Sequence, residues 1–338
     1  MTDYTRPIDR LTLTAEDLIT SHPPQWANAN KRVVYEISTP GDAVHRGAVQ
    51  YSRWAAMPLP STVAGPVRPH SRLRARDGFY HYGGPSEPPA HAAMEWHVNF
   101  GDPNLFGSYS GSLFAQDEMQ VVEHPALGSL REALVHRGFK PLTVEDGGPT
   151  PVLVVGVERR CRVAVERNAA QGRPYGLYGN DFSRAKSGII QKATTRLDPP
   201  TLSNIVSMAA PRGEGLYRRQ EIALILGTAY TAFRAATVES ARVTGVSSTD
   251  TVINTGWWGC GAFGGNRVLM ATLQLLAAEM AGVTALVFHT GWPADPQRLQ
   301  EAARILETET AGSSPIATSE IIERLLALRF RWGVGDGT

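Results

Sequence analysis

Residues 251–278 read TVINTGWWGCGAFGGNRVLMATLQLLAA, and this stretch carries the main evidence for the fold class. It opens with a β-branched run of the kind found in buried strands. Leu269, Leu273 and Leu276 then recur at steps of four and three, which places them on one face of a helix. Asn266 precedes that helix and is suited to cap its N-terminus. A strand that leads through a loop into a helix predicts an α/β protein.

The loop inside this stretch is rich in glycine. Five of the ten residues from 256 to 265 are glycines: Gly256, Gly259, Gly261, Gly264 and Gly265. Glycines let a backbone approach a ligand closely, and free N–H groups of the loop and of the helix N-terminus attract anions. Trp257, Trp258 and Phe263 would supply apolar walls. We predict an anion or nucleotide site here; the alternative is a tight strand-to-helix connection.

Two nucleotide-binding motifs can be compared with this loop. Residues 259–264 match G-x-G-x-x-G, but the next predicted strand ends at His289-Thr290-Gly291 without the acidic residue that a Rossmann site requires. A P-loop is excluded because Asn266 stands where the lysine of that motif is needed. Cys260 could be a nucleophile, but a small buried thiol is the more common role for such a cysteine.

A second informative stretch is Trp96–Leu127, in which a strand leads through a Gly/Ser loop into a helix that must end before Pro125. Gln116, Asp117 and Glu118 lie near the start of that helix. Two acids at a helix N-terminus can simply satisfy its free N–H groups and dipole. A glutamate partly buried beside a second acid is, however, favoured in its protonated form, as a general acid near neutral pH must be.

The rest of the chain continues the α/β pattern. Short apolar runs predict further strands at Val33–Ile37, Val98–Phe100, Val152–Val157 and Val283–Phe288. Further helices are predicted to include Ile222, Ile225, Ala229 and Phe233, to begin at Asp295 and to span Ser319–Phe330. Residues 56–90 are rich in proline and glycine, so we expect a long loop packed on the body, and residues 165–215 are expected to be a second irregular stretch.

Composition limits the classes of partner. The chain has 33 Lys and Arg against 32 Asp and Glu, a net charge of +1, which is a poor electrostatic match for nucleic acid. Two cysteines exclude a disulfide-stapled secreted fold and an all-cysteine zinc site. The spacing of His81, His91, Glu95 and His97 matches no zinc motif, so we expect no metal or cofactor. No signal peptide or apolar span of about 20 residues is evident, so we expect a cytoplasmic protein without a membrane partner.

The two stretches together resemble poly(ADP-ribose) glycohydrolases. Residues 255–265, TGWWGCGAFGG, are similar almost letter for letter to the phosphate loop of that family, Thr-Gly-Asn-Trp-Gly-Cys-Gly-Ala-Phe-Gly-Gly. Gln116-Asp117-Glu118 resembles the family signature Gln-Glu-Glu, and residues 98–102 resemble its Val-Asp-Phe-Ala-Asn strand end. The resemblance implies a macrodomain-like, three-layer α/β/α fold with a mixed central sheet over residues 91–338. Residues 1–90 would form a partly irregular N-terminal extension.

The resemblance also implies roles. Glu118 would be the acid that protonates the leaving oxygen of a ribosyl bond. Asp117 would hold ribose hydroxyls, and Gln116 would be the polar residue that supports Asp117. The loop would carry the diphosphate of an ADP-ribose-containing or nucleotide-derived substrate. The implied substrate contacts are Asn99, Asp102, Gly107, Ser108, Gly256, Trp257, Trp258, Gly259, Cys260, Gly261, Ala262 and Phe263.

The chain departs from the family at the reacting sugar. The triple glycine of the family falls on Phe106-Gly107-Ser108, its ribose-contacting asparagine on Asp102 and a phenylalanine on Thr290. Bulk at Phe106, with Tyr109 and Trp292, would narrow the cleft and favour small ADP-ribosyl conjugates over the polymer. Three functions remain: a hydrolase of ribosyl bonds, a non-catalytic ADP-ribose-binding module, and an enzyme that trims a nucleotide-derived metabolite. The intact Glu118 favours an enzyme.

Overall fold

The structure is a computed structural model that describes residues 6–80, 82, 93–291, 294–312 and 314–335. Its strands are β1 (Asp9–Thr14), β2 (Ala48–Arg53), β3 (Thr62–Val63), β4 (Leu73–Arg76), β5 (Ala93–Gly101), β6 (Val144–Glu145), β7 (Gly148–Pro149), β8 (Val152–Val163), β9 (Thr194–Ala209), β10 (Asp250–Gly256), β11 (Ala285–His289) and β12 (Ile316–Ala317). Its helices are α1 (Ala15–Ser21), α2 (Ala29–Ser38), α3 (Gln116–Glu123), α4 (Pro125–His136), α5 (Asp181–Arg184), α6 (Ser187–Ala193), α7 (Arg219–Thr244), α8 (Arg267–Ala281), α9 (Pro296–Glu309) and α10 (Thr318–Ala327).

The centre of the molecule is a mixed eight-stranded sheet in the order β1-β2-β8-β9-β5-β10-β11-β4. The five strands from β9 to β4 in that order run parallel to one another, whereas β1, β2, β8 and β9 pair antiparallel. Parallel strands end at the same edge of a sheet, and ligands in α/β proteins bind beyond that edge. The segments that follow β5 and β10, which carry the acids and the glycine loop, therefore leave the sheet side by side.

Helices cover both faces of the sheet. One face is packed by α7, α8, α9 and α10, whose buried side chains form one hydrophobic core with the strands. The opposite face is packed by α1, α3, α4 and α6 around a second core. The three-layer α/β/α arrangement predicted from the sequence is thus confirmed. No helix in the described ranges is long and apolar enough to cross a bilayer.

The N-terminal segment is more than an extension packed on a body. Its strands β1 and β2 form one edge of the central sheet, and β4 forms the other edge. Trp54 and Val67, from the proline-rich part of this segment, are buried in the core, as expected for a loop that packs. Residues 81 and 83–92 of that stretch, among them His81 and His91, lie outside the described residues.

The strand predicted at Val33–Ile37 is wrong, because these residues lie within α2. The Asn28 side chain accepts hydrogen bonds from the N–H groups of Asn30 and Lys31 and caps this helix. A short apolar run does not by itself distinguish a strand from a buried helix, and the cap settles the choice here.

The irregular stretch predicted at 165–215 is also wrong in part, because it contains β9, which pairs with both β8 and β5. The register places Thr201 opposite Arg159 and Arg196 opposite Cys161, so residues 197–200 bulge out opposite a single residue. Pro199 and Pro200 lie within this bulge, which is where a strand tolerates proline.

Candidate active site

A cavity of about 1300 Å³ lies at the carboxyl edge of the parallel strands. One wall is the acid segment after β5, which we call the acid wall (Asp102, Ser108 and residues 115–120). The opposite wall is the glycine loop, residues 256–263. A strap formed by Asp77–Tyr80, directly after β4, borders both. The two motifs that the sequence analysis singled out therefore face one cavity.

Gln116 anchors the first turn of α3 to the sheet. Its Oε1 accepts a hydrogen bond from the Phe100 N–H at 2.7 Å, and its Nε2 donates to the Val98 carbonyl at 3.0 Å. Both partners belong to β5, so the amide takes the place of a neighbouring strand there. Gln116 thereby fixes the position of the two acids that follow it.

Asp117 is held by a chain of buried hydrogen bonds. The Ser207 hydroxyl donates to Asn99 Oδ1 at 2.7 Å, and Asn99 Nδ2 donates to Asp117 Oδ1 at 2.9 Å. Ser207 thus orients the Asn99 amide so that its NH₂ group points at the acid. Burial, reinforced by the charge of Glu118, raises the pKa of Asp117, and the Asn99 hydrogen bond opposes that rise.

Glu118 lies in the first turn of α3 and contributes to the wall of the cavity. Its Oε2 accepts a hydrogen bond from the Ala115 N–H at 3.0 Å, so the side chain folds back over the start of the helix. Burial raises the pKa of the Glu118 carboxyl, whereas the ammonium of Lys31 and the backbone N–H donors pull it down. An acid whose pKa is raised by burial and that faces a cavity is able to serve as a general acid.

The glycine loop presents unpaired N–H groups to the cavity. The N–H groups of Gly261, Ala262 and Phe263 have no partner among the described residues, and all three residues line the cavity. Consecutive free N–H groups form a concave anion site. The helix N-terminus contributes less than predicted, because Asn266 Oδ1 accepts from the N–H groups of Val268 and Leu269. The donors available to a phosphate are therefore those of the loop.

The glycines of the loop serve its packing. Gly259 has φ +73°, and a Cβ there would lie 2.5 Å from the Ala210 Cβ. Gly264 has φ +67°, and a Cβ would lie 2.9 Å from the Gly333 carbonyl oxygen. Side chains are thus excluded at these two positions by the protein itself, whereas the sequence analysis attributed the glycines to close approach of a ligand.

Aromatic residues support the loop in different ways. Trp257 lies at the cavity, where its indole N–H donates to the Thr290 carbonyl at 2.8 Å. Trp258 was predicted to form an apolar wall, but its side chain is fully buried in the core and donates to the Met208 carbonyl. Burial raises the pKa of the Cys260 thiol to about 12, which makes it a poor nucleophile at neutral pH.

Several predicted contacts lie off the cavity wall. Asn99 is fully buried behind Asp117, and Gly107 also does not line the cavity. Asp102 and Ser108 do line it. Phe106, expected to narrow the cleft, is instead fully buried in the core, with φ +52°. The glycine-to-phenylalanine difference therefore adds no bulk to the cavity.

Tyr109 was also expected to narrow the cleft, but it does not line the cavity. Tyr109 is buried, and its hydroxyl donates to Glu132 and accepts from the Gln25 N–H. Trp292 lies outside the described residues. Of the metal candidates, Glu95 accepts from Asn254 Nδ2 and His97 stacks on the Tyr82 ring at 4.4 Å. No group of three or more potential metal ligands occurs among the residues that the structure describes.

Two arginines at the glycine loop, Arg212 and Arg267, were not predicted from the sequence. The Arg212 guanidinium lies 4.4 Å from the centroid of the Phe263 ring, and Arg267 lies 5.5 Å from that of Trp257. Both arginines line the cavity. No local motif marks Arg212, and only the return of the chain after β9 brings it to the loop.

Comparisons with known proteins identify a family that part of the chain resembles. The family model of poly(ADP-ribose) glycohydrolase (PARG), macro domain fold, matches residues 168–295. The predicted resemblance to the PARG family is confirmed. The PARG match includes the glycine loop and begins after Glu118, so the acid wall lies outside the matched range. No curated protein matches the chain.

Solved PARG structures are also similar to the chain. PARG from Thermomonospora curvata is 16% identical, with a TM-score of 0.44, over 82% of this chain and 99% of that one. PARG from Deinococcus radiodurans in complex with ADP-ribose is 15% identical, with a TM-score of 0.37, over 90% of this chain and 95% of that one. The apo form of the same enzyme is 12% identical, with a TM-score of 0.34, over 89% and 92%.

Proposed function

We propose that this protein is a PARG-like glycosidase that hydrolyses a ribosyl bond in an ADP-ribose-containing substrate, with Glu118 as the general acid. The observation that carries the proposal is the placement of a buried Glu118, whose pKa burial raises, across one cavity from a loop of free N–H groups. The PARG family match supports both the fold and the class of reaction. Both cysteines of this chain are free thiols, which suits a reducing compartment. We therefore propose that the protein is located in the cytoplasm.

The proposed reaction requires one proton to move out and back. Glu118 gives its proton to the leaving oxygen as the bond between that oxygen and the anomeric carbon breaks. The anomeric carbon passes through an oxocarbenium-like state, and water attacks it while the Glu118 carboxylate takes a proton from that water. Asp117, oriented by Asn99, accepts hydrogen bonds from ribose hydroxyls, and the N–H groups of residues 261–263 donate to the diphosphate.

The cavity has room for a leaving group. Beyond Glu118 it continues along α3 to Glu123, Arg159 and Tyr178. Its volume of about 1300 Å³ is above the ~300–1000 Å³ typical of small-molecule sites. Phe106 lies in the core, so it does not restrict the group beyond the bond to a small conjugate; another ADP-ribose unit is the alternative. Assays on long poly(ADP-ribose) and on small ADP-ribosyl conjugates, run side by side, distinguish the two.

A loop variant tests the proposal through binding. Gly261→Val adds bulk where the loop faces the cavity, so we expect its affinity for ADP-ribose to fall by at least 10-fold in calorimetric titration. Gly188→Val is the matched control, since Gly188 is exposed, lies away from the cavity and has no atom within 4 Å of an added Cβ. A folded Gly261→Val protein that binds ADP-ribose like the wild type would contradict the phosphate role of the loop. Absence of ribosyl hydrolysis by the wild type would contradict the enzymatic role.

A further inference from the structure

Lys31 is a lysine with no exposed side chain, contributed to the site by the N-terminal helix α2. Its Nζ donates a hydrogen bond to the Tyr109 carbonyl at 2.7 Å, in the loop that leads into α3. Burying an ammonium away from water costs several kcal/mol unless it is paired with opposite charge. Lysines are therefore almost never fully buried without a counter-charge, and the surroundings of Lys31 must supply one.

The N-terminal segment is attached to this loop at several points. The Gln25 N–H donates to the Tyr109 hydroxyl at 2.6 Å, and the Asn28 N–H donates to the Ser110 carbonyl at 3.0 Å. The Ser110 hydroxyl accepts from the Ala27 N–H at 2.9 Å. Helix α2 also packs against α3, which carries both acids. Residues 25–31 thus fix the loop before α3 and bring an ammonium to its buried side.

The charges around Lys31 are those of the acid wall. Asp117 and Glu118 on α3 are the ionisable groups that favour its charged form, while burial lowers the pKa of Lys31. Reciprocally, Lys31 lowers the pKa of both acids, and Asp102 at the end of β5 raises them. Lys31, Asp117 and Glu118 are all buried, and the helix that carries Lys31 packs against the helix that carries both acids.

We propose that Lys31 is a positioning residue that acts through Glu118, supplying the fixed positive charge against which Glu118 gives up and recovers its proton. The inference rests on the proposed function. When Glu118 donates its proton to the leaving oxygen, it becomes a carboxylate in a nearly dry place. The ammonium is already held by the Tyr109 carbonyl, so little has to reorganise when that charge develops. Without Lys31, Glu118 keeps its proton too tightly.

Two variants separate the charge from the hydrogen bond. Lys31→Gln removes the charge but keeps an N–H donor for the Tyr109 carbonyl, whereas Lys31→Met removes both. Loss of a nearby positive charge favours the protonated form of Glu118, so the alkaline limb of the kcat/KM profile should move up by about one pH unit in both variants. The plateau of kcat should fall by about 10-fold. Lys140→Gln, at an exposed lysine paired with Glu145, is the control and should leave the profile unchanged.

A titration without substrate separates this inference from the proposed function. In protein labelled with ¹³C at glutamate carboxyls, the Glu118 signal should titrate at higher pH in Lys31→Gln than in the wild type, even if no hydrolysis is found. An unshifted Glu118 titration and an unshifted alkaline limb in Lys31→Gln would overturn the proposal and leave Lys31 a purely structural residue.

A reciprocal measurement covers the case in which the Lys31 variants do not fold. The interaction is mutual, so removing the Glu118 charge must change Lys31 as well. In Glu118→Gln, the Lys31 Nζ group, followed by NMR of labelled lysine, should lose its proton at lower pH than in the wild type. An unchanged Lys31 titration in Glu118→Gln would equally overturn the proposal.

Discussion

The two walls of the cavity are built in opposite ways. The acid wall acts through side chains, whose proton affinities depend on burial and on a cation from a distant part of the chain. The glycine loop acts through its backbone, with N–H groups left free and glycines forced by contacts to Ala210 and Gly333. Substitutions in the acid wall should therefore change chemistry and leave the fold, whereas substitutions of Gly259 or Gly264 should change the fold first.

The largest effect that would test this contrast is expected from Glu118→Gln. The amide keeps the shape of the side chain and an oxygen for the Ala115 N–H, but it has no proton to give. We expect turnover to fall by at least ~10²-fold, with ADP-ribose affinity nearly unchanged. Single-turnover assays and calorimetry on the same preparation measure both. Near-normal turnover would remove Glu118 from its role.

The second test compares two glycines with the same backbone conformation. Gly259 and Gly282 both have φ near +70°, but a Cβ at Gly282 would meet nothing within 4 Å. Gly282→Ala should cost about 1–2 kcal/mol of unfolding free energy through backbone strain alone. Gly259→Ala should cost a further ~1–3 kcal/mol, because its Cβ overlaps Ala210 and Met270. Equal losses in urea unfolding would mean that the loop tolerates side chains and would weaken the contrast.

The smallest effect concerns the strap between the two walls. Tyr80 packs edge-on against His97 at 5.6 Å and His289 at 5.0 Å, and its hydroxyl donates to the Val98 carbonyl. Burial, with His124 and His289 nearby, holds the pKa of His97 well below its usual range. In the unfolded chain His97 takes up a proton below pH ~6.5, so this contribution to stability is present above that pH and is lost as the pH falls.

Removing the imidazole tests this contribution. His97→Phe keeps an aromatic ring against Tyr82, so between pH 6 and pH 5 it should lose about 1 kcal/mol less unfolding free energy than the wild type. His70→Gln, at an exposed histidine, should follow the wild type. If His97→Phe showed the pH dependence of the wild type, His97 would not be held neutral. In that case, lowering the pH would favour protonated Glu118 and would not weaken the packing of the strap on His97.

Local patterns predicted the parts of the fold that short-range physics determines. Apolar patterns in the sequence predicted buried elements. Apolar residues at helical spacing indicated α7 and α8, and short apolar runs indicated β5, β8, β10 and β11. The caps at Asn266 and Asp295 marked where α8 and α9 begin. The acid wall and the glycine loop were found because each is one short continuous segment.

The remaining features depend on residues far apart in the chain. No sequence feature near Lys31 predicts its burial, because a lysine on a helix is normally exposed. Its burial depends on acids that are distant in the sequence. Phe106 was expected at the ribose because it aligns with a glycine of the family. Such an alignment does not show whether the side chain that replaces the glycine points into the cavity or into the core. Pro199 and Pro200 led to the prediction of an irregular stretch where the structure has strand β9. The bulge that accommodates them forms only when β9 pairs with β8, which the local sequence does not show.

The placement of the N-terminal strands at both edges of the sheet also governs how the chain can fold. Leu73 in β4 pairs with Leu286 in β11, and Gln50 in β2 pairs with Val155 in β8. Contacts between residues so distant in sequence make folding slow, because long loops must close first. During synthesis β4 cannot pair until β11 has been made. Its unpaired backbone groups are exposed to other chains during that time. Lys31 likewise leaves water only after residues 109–118 have been added, so the charge balance proposed for Glu118 is assembled by long-range folding.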